Sequence, residues 1–476
     1  ALLLLLGLAG CLRPARAQVF QFEDAATPLE KSLSAHYIFY VYSREDAPVP
    51  KAGDATLEFR GLYSRSLSRE RTTAALAGYQ GLQVSILPYY EFWKLLSPDK
   101  FCSTAEDVRK NITTAQDQIL VHKEEKEVFS HTIHFGQKPQ EEEGQTEVLT
   151  ASGAYVLVYS NCGSFDEGTA TGQVIVRNPY GFLPGIEYYK MPFYGWLLTV
   201  YGILLLVWLV SILRWWKDLF YIHSGITMIL ILGGIEAGLW AFVYQDWNST
   251  GVRKKPHFFA AILSSVLKTT AAYVLVLVAS LGSGVTRPDL DPKTSMKIHI
   301  LALVFIVLDF GKTSVMAFQH SHAWKLSFKM MFTVPVLLVH AALFCWIFRA
   351  LGNLVNQLQD MSQLEKLKPF ARMQSIMITV LVGASLTSSL QMFDITGTRV
   401  AMWKFHWLIS DGLPHGLFML ALLGGIWTWL PGAETARFSS DQIFVSEPPQ
   451  TGKKGYRSVP SPEAIGAQDE DSAMML

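Results

Sequence analysis

The chain has 476 residues, half of them hydrophobic, with 40 basic and 40 acidic side chains and a formal net charge of zero. Such a balance offers no electrostatic reason to bind nucleic acid. The average conceals two unlike halves, a polar N-terminal part and an apolar C-terminal part.

Residues 2–12 are almost wholly apolar and lead into Arg13-Pro14-Ala15-Arg16-Ala17. This reads as the remainder of a signal peptide (1–17) ending in an A-x-A site, with cleavage expected after Ala17. The stretch is too short to span a bilayer. Cleavage there places the segment 18–190 in the lumen of the secretory pathway or outside the cell.

That segment is long enough for one domain. Residues 36–42, 57–63, 82–87, 128–135, 155–160 and 173–176 are short, rich in β-branched and aromatic side chains, and separated by Gly, Pro, Ser and Asp. They predict the strands of an antiparallel sandwich. Residues 105–126 are polar and are expected to hold a helix or a mobile loop, and 138–144 a solvated loop. His122, His131 and His134 lie close in sequence, but residues three apart in a strand point to opposite faces, so no metal site is expected. Neither G-x-S-x-G nor H-E-x-x-H occurs, and the domain reads as a binding module rather than an enzyme.

Seven apolar stretches follow, at 193–213, 220–243, 258–280, 298–318, 328–348, 373–393 and 406–430. Each approaches the ~20 residues a helix needs to cross ~30 Å of hydrocarbon. In lipid such a run must be helical, because only then does its backbone satisfy itself. The fold class is therefore a seven-helix membrane bundle (193–430) preceded by an all-β domain. With the N-terminus outside, the tail 431–476 is cytosolic and the connector 244–257 lumenal. Both N-x-S/T sequons, at Asn111 and Asn248, fall on the lumenal side as glycosylation candidates. The basic-residue bias is weak, because Arg253-Lys254-Lys255 opposes the expected cytosolic excess.

Of four cysteines, Cys11 leaves with the leader and Cys345 lies in the fifth span as a small apolar filler. Cys102 and Cys162 remain in an oxidising compartment and are expected to be bonded.

Ionisable residues inside the spans are costly and normally face the bundle interior. Glu236, Lys268, Asp309, Lys312, Asp411 and His415 are the candidates for a polar cavity that binds a lipid headgroup or passes ions. His340 is a seventh intramembrane group. The plain alternative is a set of paired charges that fixes helix packing. Asp309 and Lys312 are three apart on one helix, and Asp411 and His415 four apart, beside Pro414, which is expected to kink the last helix. Glu236, Lys268, Asp309 and Asp411 are expected to converge.

The tail is rich in Ser, Pro, Gly, Gln and acidic residues, so disorder is expected. It holds Tyr456-Arg457-Ser458-Val459, a tyrosine followed by a bulky apolar residue three places on, which clathrin-adaptor complexes read as an extended strand. Asp471-Ser472-Ala473-Met474-Met475-Leu476 loosely matches an acidic dileucine pattern.

Several motifs occur in order across about 178–440: Asn178-Pro179-Tyr180-Gly181-Phe182-Leu183-Pro184, Arg214-Trp215-Trp216-Lys217-Asp218-Leu219, Leu232-Gly233-Gly234-Ile235-Glu236, Ser280-Leu281-Gly282-Ser283-Gly284-Val285-Thr286-Arg287-Pro288, Trp429-Leu430-Pro431 and Arg437-Phe438. Together they resemble the lung-seven-transmembrane-receptor, or GOLD-domain seven-helix (GOST), family, most of all its transmembrane protein eighty-seven branch. The resemblance implies a lumenal GOLD-like sandwich, Golgi residence with cycling through endosomes or the plasma membrane, and endosome-to-Golgi retrieval. It also implies a cavity holding a phospholipid, and a lumenal cargo protein as partner. In the resemblance Glu236 matches a second-span glutamate and Asp411 a seventh-span acidic position, while His415 replaces an Arg. A Golgi cation channel is the main alternative. A G-protein-coupled receptor is less well supported, because D-R-Y after the third span and N-P-x-x-Y in the seventh are both missing.

Overall fold

The structure is a computed structural model that describes residues 18–28, 32–49, 53–66, 82–96, 101–113, 116–120, 128–135, 145–163, 168–217, 219–286, 290–317, 326–393 and 399–432. The leader, His122 and the tail with Tyr456 and Val459 lie outside them.

The N-terminal domain is built from two sheets. One contains β1 (Val19–Ala26), β9 (Gly168–Arg177), β3 (Ala55–Ser66), β6 (His134–Phe135) and β7 (Gln145–Leu149); the other contains β2 (Ser32–Val41), β8 (Gly153–Asn161), β4 (Leu82–Pro88) and β5 (Phe129–Thr132). The pairings are antiparallel except that of β3 with β6, where Tyr63 stands opposite His134. The expected stretch 128–135 is thus divided between sheets: His131 is in β5, His134 in β6, and buried Ile133 marks the crossing. Among the described residues, no group of three or more His, Cys, Asp or Glu side chains is arranged to hold a metal ion.

Between the sheets, Phe39, Val41, Leu57, Phe59, Val84, Ile86, Leu157 and Val174 form the core. β4 and β8 are buried on both faces; β8 is a nearly unbroken apolar run, whereas β4 turns Gln83 and Ser85 to its buried outer face, where Gln83 accepts from the Ile119 N–H at 3.1 Å and Ser85 pairs with Ser130 at 2.9 Å. Their outer face, with Leu87, Val156 and Val158, is covered by Phe92 and Ile119 and by Cys162. Phe92 belongs to a helix, Tyr89–Leu96, that the polar and apolar pattern does not announce. Cys102 and Cys162 are bonded and tie this cover to the end of β8. Closing a loop of 60 residues is worth about 4 kcal/mol in the chain-entropy estimate.

Among the described residues, seven helical segments are long and apolar enough to cross a membrane. They contain α1 (Lys190–Arg214), α2 (Tyr221–Thr250), α3 (Lys255–Ser280), α4 (Pro292–Ala317), α5 (Leu326–Asp360), α6 (Leu364–Phe393) and α7 (Leu413–Thr428), the last span running from Trp403 to Thr428 with α7 as its second part. α3 is the most buried of them and packs on α2, α4 and α5. Two boundaries depart from the sequence reading. α2 runs on to Thr250, closed by Gly251 in the left-handed region (φ 70°), so the expected connector shrinks to a few residues and Asn248 is helical. α5 extends a further three turns because Leu351, Leu354 and Leu358, spaced three and four apart, continue its buried stripe against Phe370 and Met373 of α6.

Nearer the β-domain, Met331, Val334, Leu337 and Leu338 of α5 and Ile378, Val382 and Leu386 of α6 are exposed apolar side chains. Cys345, expected as a small apolar filler of the fifth span, is exposed on α5.

Candidate functional site

The chain enters the bundle through a knotted turn. Asn178 accepts from the backbone N–H of Tyr42 at 2.9 Å and donates to the Leu183 carbonyl at 2.9 Å. From α2, the Asn248 amide donates to Tyr180 O at 3.0 Å and accepts from Leu183 N–H at 3.2 Å, while its carbonyl accepts from Phe182 N–H at 2.9 Å. Gly181 has φ 140°, and a Cβ there would meet the Asn248 carbonyl oxygen at 2.6 Å. The Asn-Pro-Tyr-Gly-Phe-Leu-Pro stretch is therefore a structural fastener. Asn248 is committed to it, so a glycan on that amide would have to displace Tyr180; Asn111 is exposed, at φ 59°.

A second contact joins the domain to the start of the last span. Trp403 is buried with Tyr40, Tyr42, Ile186 and Tyr188, its ring centroid 4.6 Å from that of Tyr42 and 5.6 Å from that of Tyr40. Beside it Lys404 lies 3.3 Å from Asp46. The Ser152 hydroxyl and then Lys404 hold the Asp46 carboxyl below its ordinary range. Burial pushes the Tyr42 and Tyr180 hydroxyls up, as neutral groups in a packed aromatic cluster require.

Just below this cluster lies an acid–base network. Lys190, the first residue of α1, is 2.8 Å from Glu187, three residues earlier, and 2.9 Å from Asp411. Asp411 also accepts from the Tyr194 hydroxyl at 2.7 Å and the Ser410 hydroxyl at 2.5 Å. It sits in a π turn, Leu408–Gly412, where the Leu413 N–H bonds to the Leu408 carbonyl. The expected proline kink takes this form: Pro414 gives no N–H to the preceding turn, and the chain takes up an extra residue before α7 begins.

One turn on, His415 places Nδ1 2.9 Å from the Asp411 carbonyl oxygen and Nε2 3.4 Å from Glu236. A carbonyl oxygen only accepts, so Nδ1 carries hydrogen. Glu236 is bonded to Lys268 of α3, both almost fully buried, and the Lys268 ammonium lies 4.2 Å above the Phe418 ring. Tyr194 links the two ends: its ring stacks on Trp240 and Tyr244, and His415 meets it edge-on at 5.4 Å. Three carboxylates thus face two ammonium groups and one imidazole across α1, α2, α3 and α7.

Four of the six expected cavity residues, Glu236, Lys268, Asp411 and His415, share this network. Asp309 and Lys312 do not join it. They face each other at 3.7 Å on α4, in reach of Tyr273 and His340, on the other side of α3. The expected convergence of Asp309 with the rest is thus corrected: Asp309 pairs with Lys312 on α4, whose main contacts are with α3 and α5. Lys190, Glu187 and Tyr194 are members of the network that the sequence reading missed, and Trp403, in the aromatic cluster above it, was missed too. Glu187-x-x-Lys190, an opposite-charge pair three apart at a span mouth, is the signal that could have found two of them.

A two-sheet domain fastened to seven helices with an ion-paired interior defines a class, and the sequence comparison agrees. Residues 189–436, more than half of the chain, match the model of "GOST, seven transmembrane domain", and the chain belongs to that family. It is similar to Transmembrane protein 87A of Xenopus tropicalis (25% identical over 271 residues, 56% of this chain and 48% of the relative) and to Transmembrane protein 87B of Mus musculus (26% over 268 residues, 55% and 46%). Membrane protein PTM1 of Saccharomyces cerevisiae is 19% identical over 280 residues, 57% of this chain and 53% of the relative. The chain spans about half the length of the curated relatives it matches.

Proposed function

We propose that this chain is a Golgi-membrane protein that works in protein trafficking between endosomes and the Golgi, and that its bundle holds a phospholipid headgroup. The β-domain is then lumenal and takes a cargo protein, and the tail is cytosolic, offering Tyr456 and Val459 to adaptor complexes. One observation carries the lipid part: a buried network of both signs, from Lys190 to Lys268. A zwitterionic headgroup complements such a network. The exposed sequon at Asn111 supports a lumenal β-domain. Microscopy of the tagged chain, with antibody uptake from the cell surface, tests the location. Overlap with Golgi markers and recovery of surface-labelled protein there are expected; a protein held in the endoplasmic reticulum contradicts the reading.

A cation channel is the second reading, favoured by a carboxylate, Glu236, buried in mid-span. Purified protein in planar bilayers separates the two: a voltage-dependent current abolished by Glu236→Gln supports conduction.

A further inference from the structure

The helix Tyr89–Leu96 carries three stripes, each made of residues three apart. Tyr89 and Phe92 face the β-domain: Phe92 is buried and Tyr89 packs on the Tyr40–Tyr42–Trp403 cluster. Glu91 and Lys94 are bonded to one another on the outside. The third stripe, Tyr90 and Trp93, lies between these two and is 65% and 50% exposed. At 100° per residue its direction is about 100° from each neighbouring stripe. Contacts of Tyr89 with Tyr90 (5.8 Å) and Trp93 (6.0 Å) and of Phe92 with Trp93 (5.9 Å) keep the rings in one layer.

The height of this helix matters most. The cluster that receives Tyr89 also receives Tyr189, Met191 and Val400, residues at the mouths of α1 and α7. Tyr189 in turn touches Trp407, which leads into the π turn. On the bundle rim next to Trp403, Met402 and Phe405 are 53% and 59% exposed. The N-terminal end of the helix is thus tied to a cluster at the span mouths, where Met402 and Phe405 are also exposed apolar side chains. Aromatic side chains with a polar edge concentrate at the membrane–water interface, where ring and N–H or O–H are both satisfied.

We propose that the helix Tyr89–Leu96 is an interfacial anchor, laying Tyr90 and Trp93 into the headgroup layer of the bilayer the bundle spans. The occupant of this surface is lipid. Glu91 and Lys94 stay in the aqueous layer, as the polar face of an interfacial helix does. Because Tyr89 ends on the Trp403 cluster, the anchor fixes the tilt of the β-domain over the bundle at a third point, besides the Asn178–Asn248 fastener and the Trp403 contact.

Spin labels test this in the full chain. In a Cys345→Ala background, Trp93→Cys and, separately, Tyr90→Cys are labelled and the protein is reconstituted into phosphatidylcholine vesicles. Val148→Cys, on an exposed site of β7 (48%), is the aqueous control. Collisions with oxygen are expected to exceed those with a water-soluble nickel complex at 93 and 90, with the reverse order at 148. Nickel accessibility at 93 and 90 equal to that at 148 overturns the proposal. So does dipolar broadening at either position that vanishes on dilution with unlabelled protein, because the surface would then meet a second copy.

Discussion

Lys190 Nζ lies 2.9 Å from the Asp411 carboxylate, so the first residue of α1 is bound to the π turn that opens α7. The same lysine holds Glu187, in the segment that leaves the β-domain. One lysine therefore ties the segment leaving that domain to the π turn of the last span. Lys190→Met leaves Asp411 and Glu187 buried without their cation, a loss of about 3 kcal/mol by analogy with broken buried pairs. Thermal unfolding in nanodiscs measures it. Asp411→Asn added to Lys190→Met is expected to recover part of the loss, as a double-mutant cycle reads a direct pair.

Trp403→Ala removes the aromatic side chain between Tyr40 and Tyr42. Truncating a buried Trp costs roughly 3–5 kcal/mol in a core; here the loss falls on docking. Limited proteolysis should cut the segment around Gly185 faster, while the isolated bundle transition stays in place.

Gly181→Val should be among the most damaging single changes outside the spans, because the Asn248 carbonyl occupies the Cβ position. Asn248→Asp keeps the acceptor to Leu183 and loses the donor to Tyr180, and should cost about 1 kcal/mol. Expression and monodispersity on size exclusion rank the two variants.

The contact of Asp46 with Lys404 gives a pH prediction. The Asp46 carboxyl is held below its ordinary value, so its contribution is present above the unfolded pKa, roughly pH 4. It is lost as pH falls through the lower folded value. Docking measured by proteolysis should therefore be the same at neutral and mildly acidic pH through this pair, and Asp46→Asn should not change its pH dependence in that range.

Reducing the Cys102–Cys162 bond should loosen the cover of β4 and β8 before the sandwich itself opens. Cys162→Ser is expected to cost about 4 kcal/mol and to expose the 101–120 segment to protease first.

Much of the fold was legible because hydropathy alone marks a span: all seven spans were found, and seven strands, from six β-branched and aromatic runs of which 128–135 divides into β5 and β6. β1 and β7 were not, since Gln21, Glu23, Gln145 and Glu147 break their apolar pattern. The helix Tyr89–Leu96 was hidden because its aromatic residues read equally as strand. The cysteine pair followed from compartment and count. The network was only half legible. Glu236, Lys268, Asp411 and His415 announce themselves as charges in apolar runs, but the neighbours of a helix in space are not written in its own periodicity. That is why Asp309 and Lys312 were grouped with them, and why Lys190, sitting at a span edge where a lysine is ordinary, passed unnoticed.

Native mass spectrometry of the purified chain, with Lys268→Met beside the wild type, addresses the headgroup site most directly. Wild type is expected to carry one phospholipid per chain through detergent exchange, and Lys268→Met, still folded by its thermal transition, to release it. Equal retention of phospholipid by both proteins, or none in the wild type, contradicts a headgroup held by the Glu236–Lys268–His415–Asp411 network.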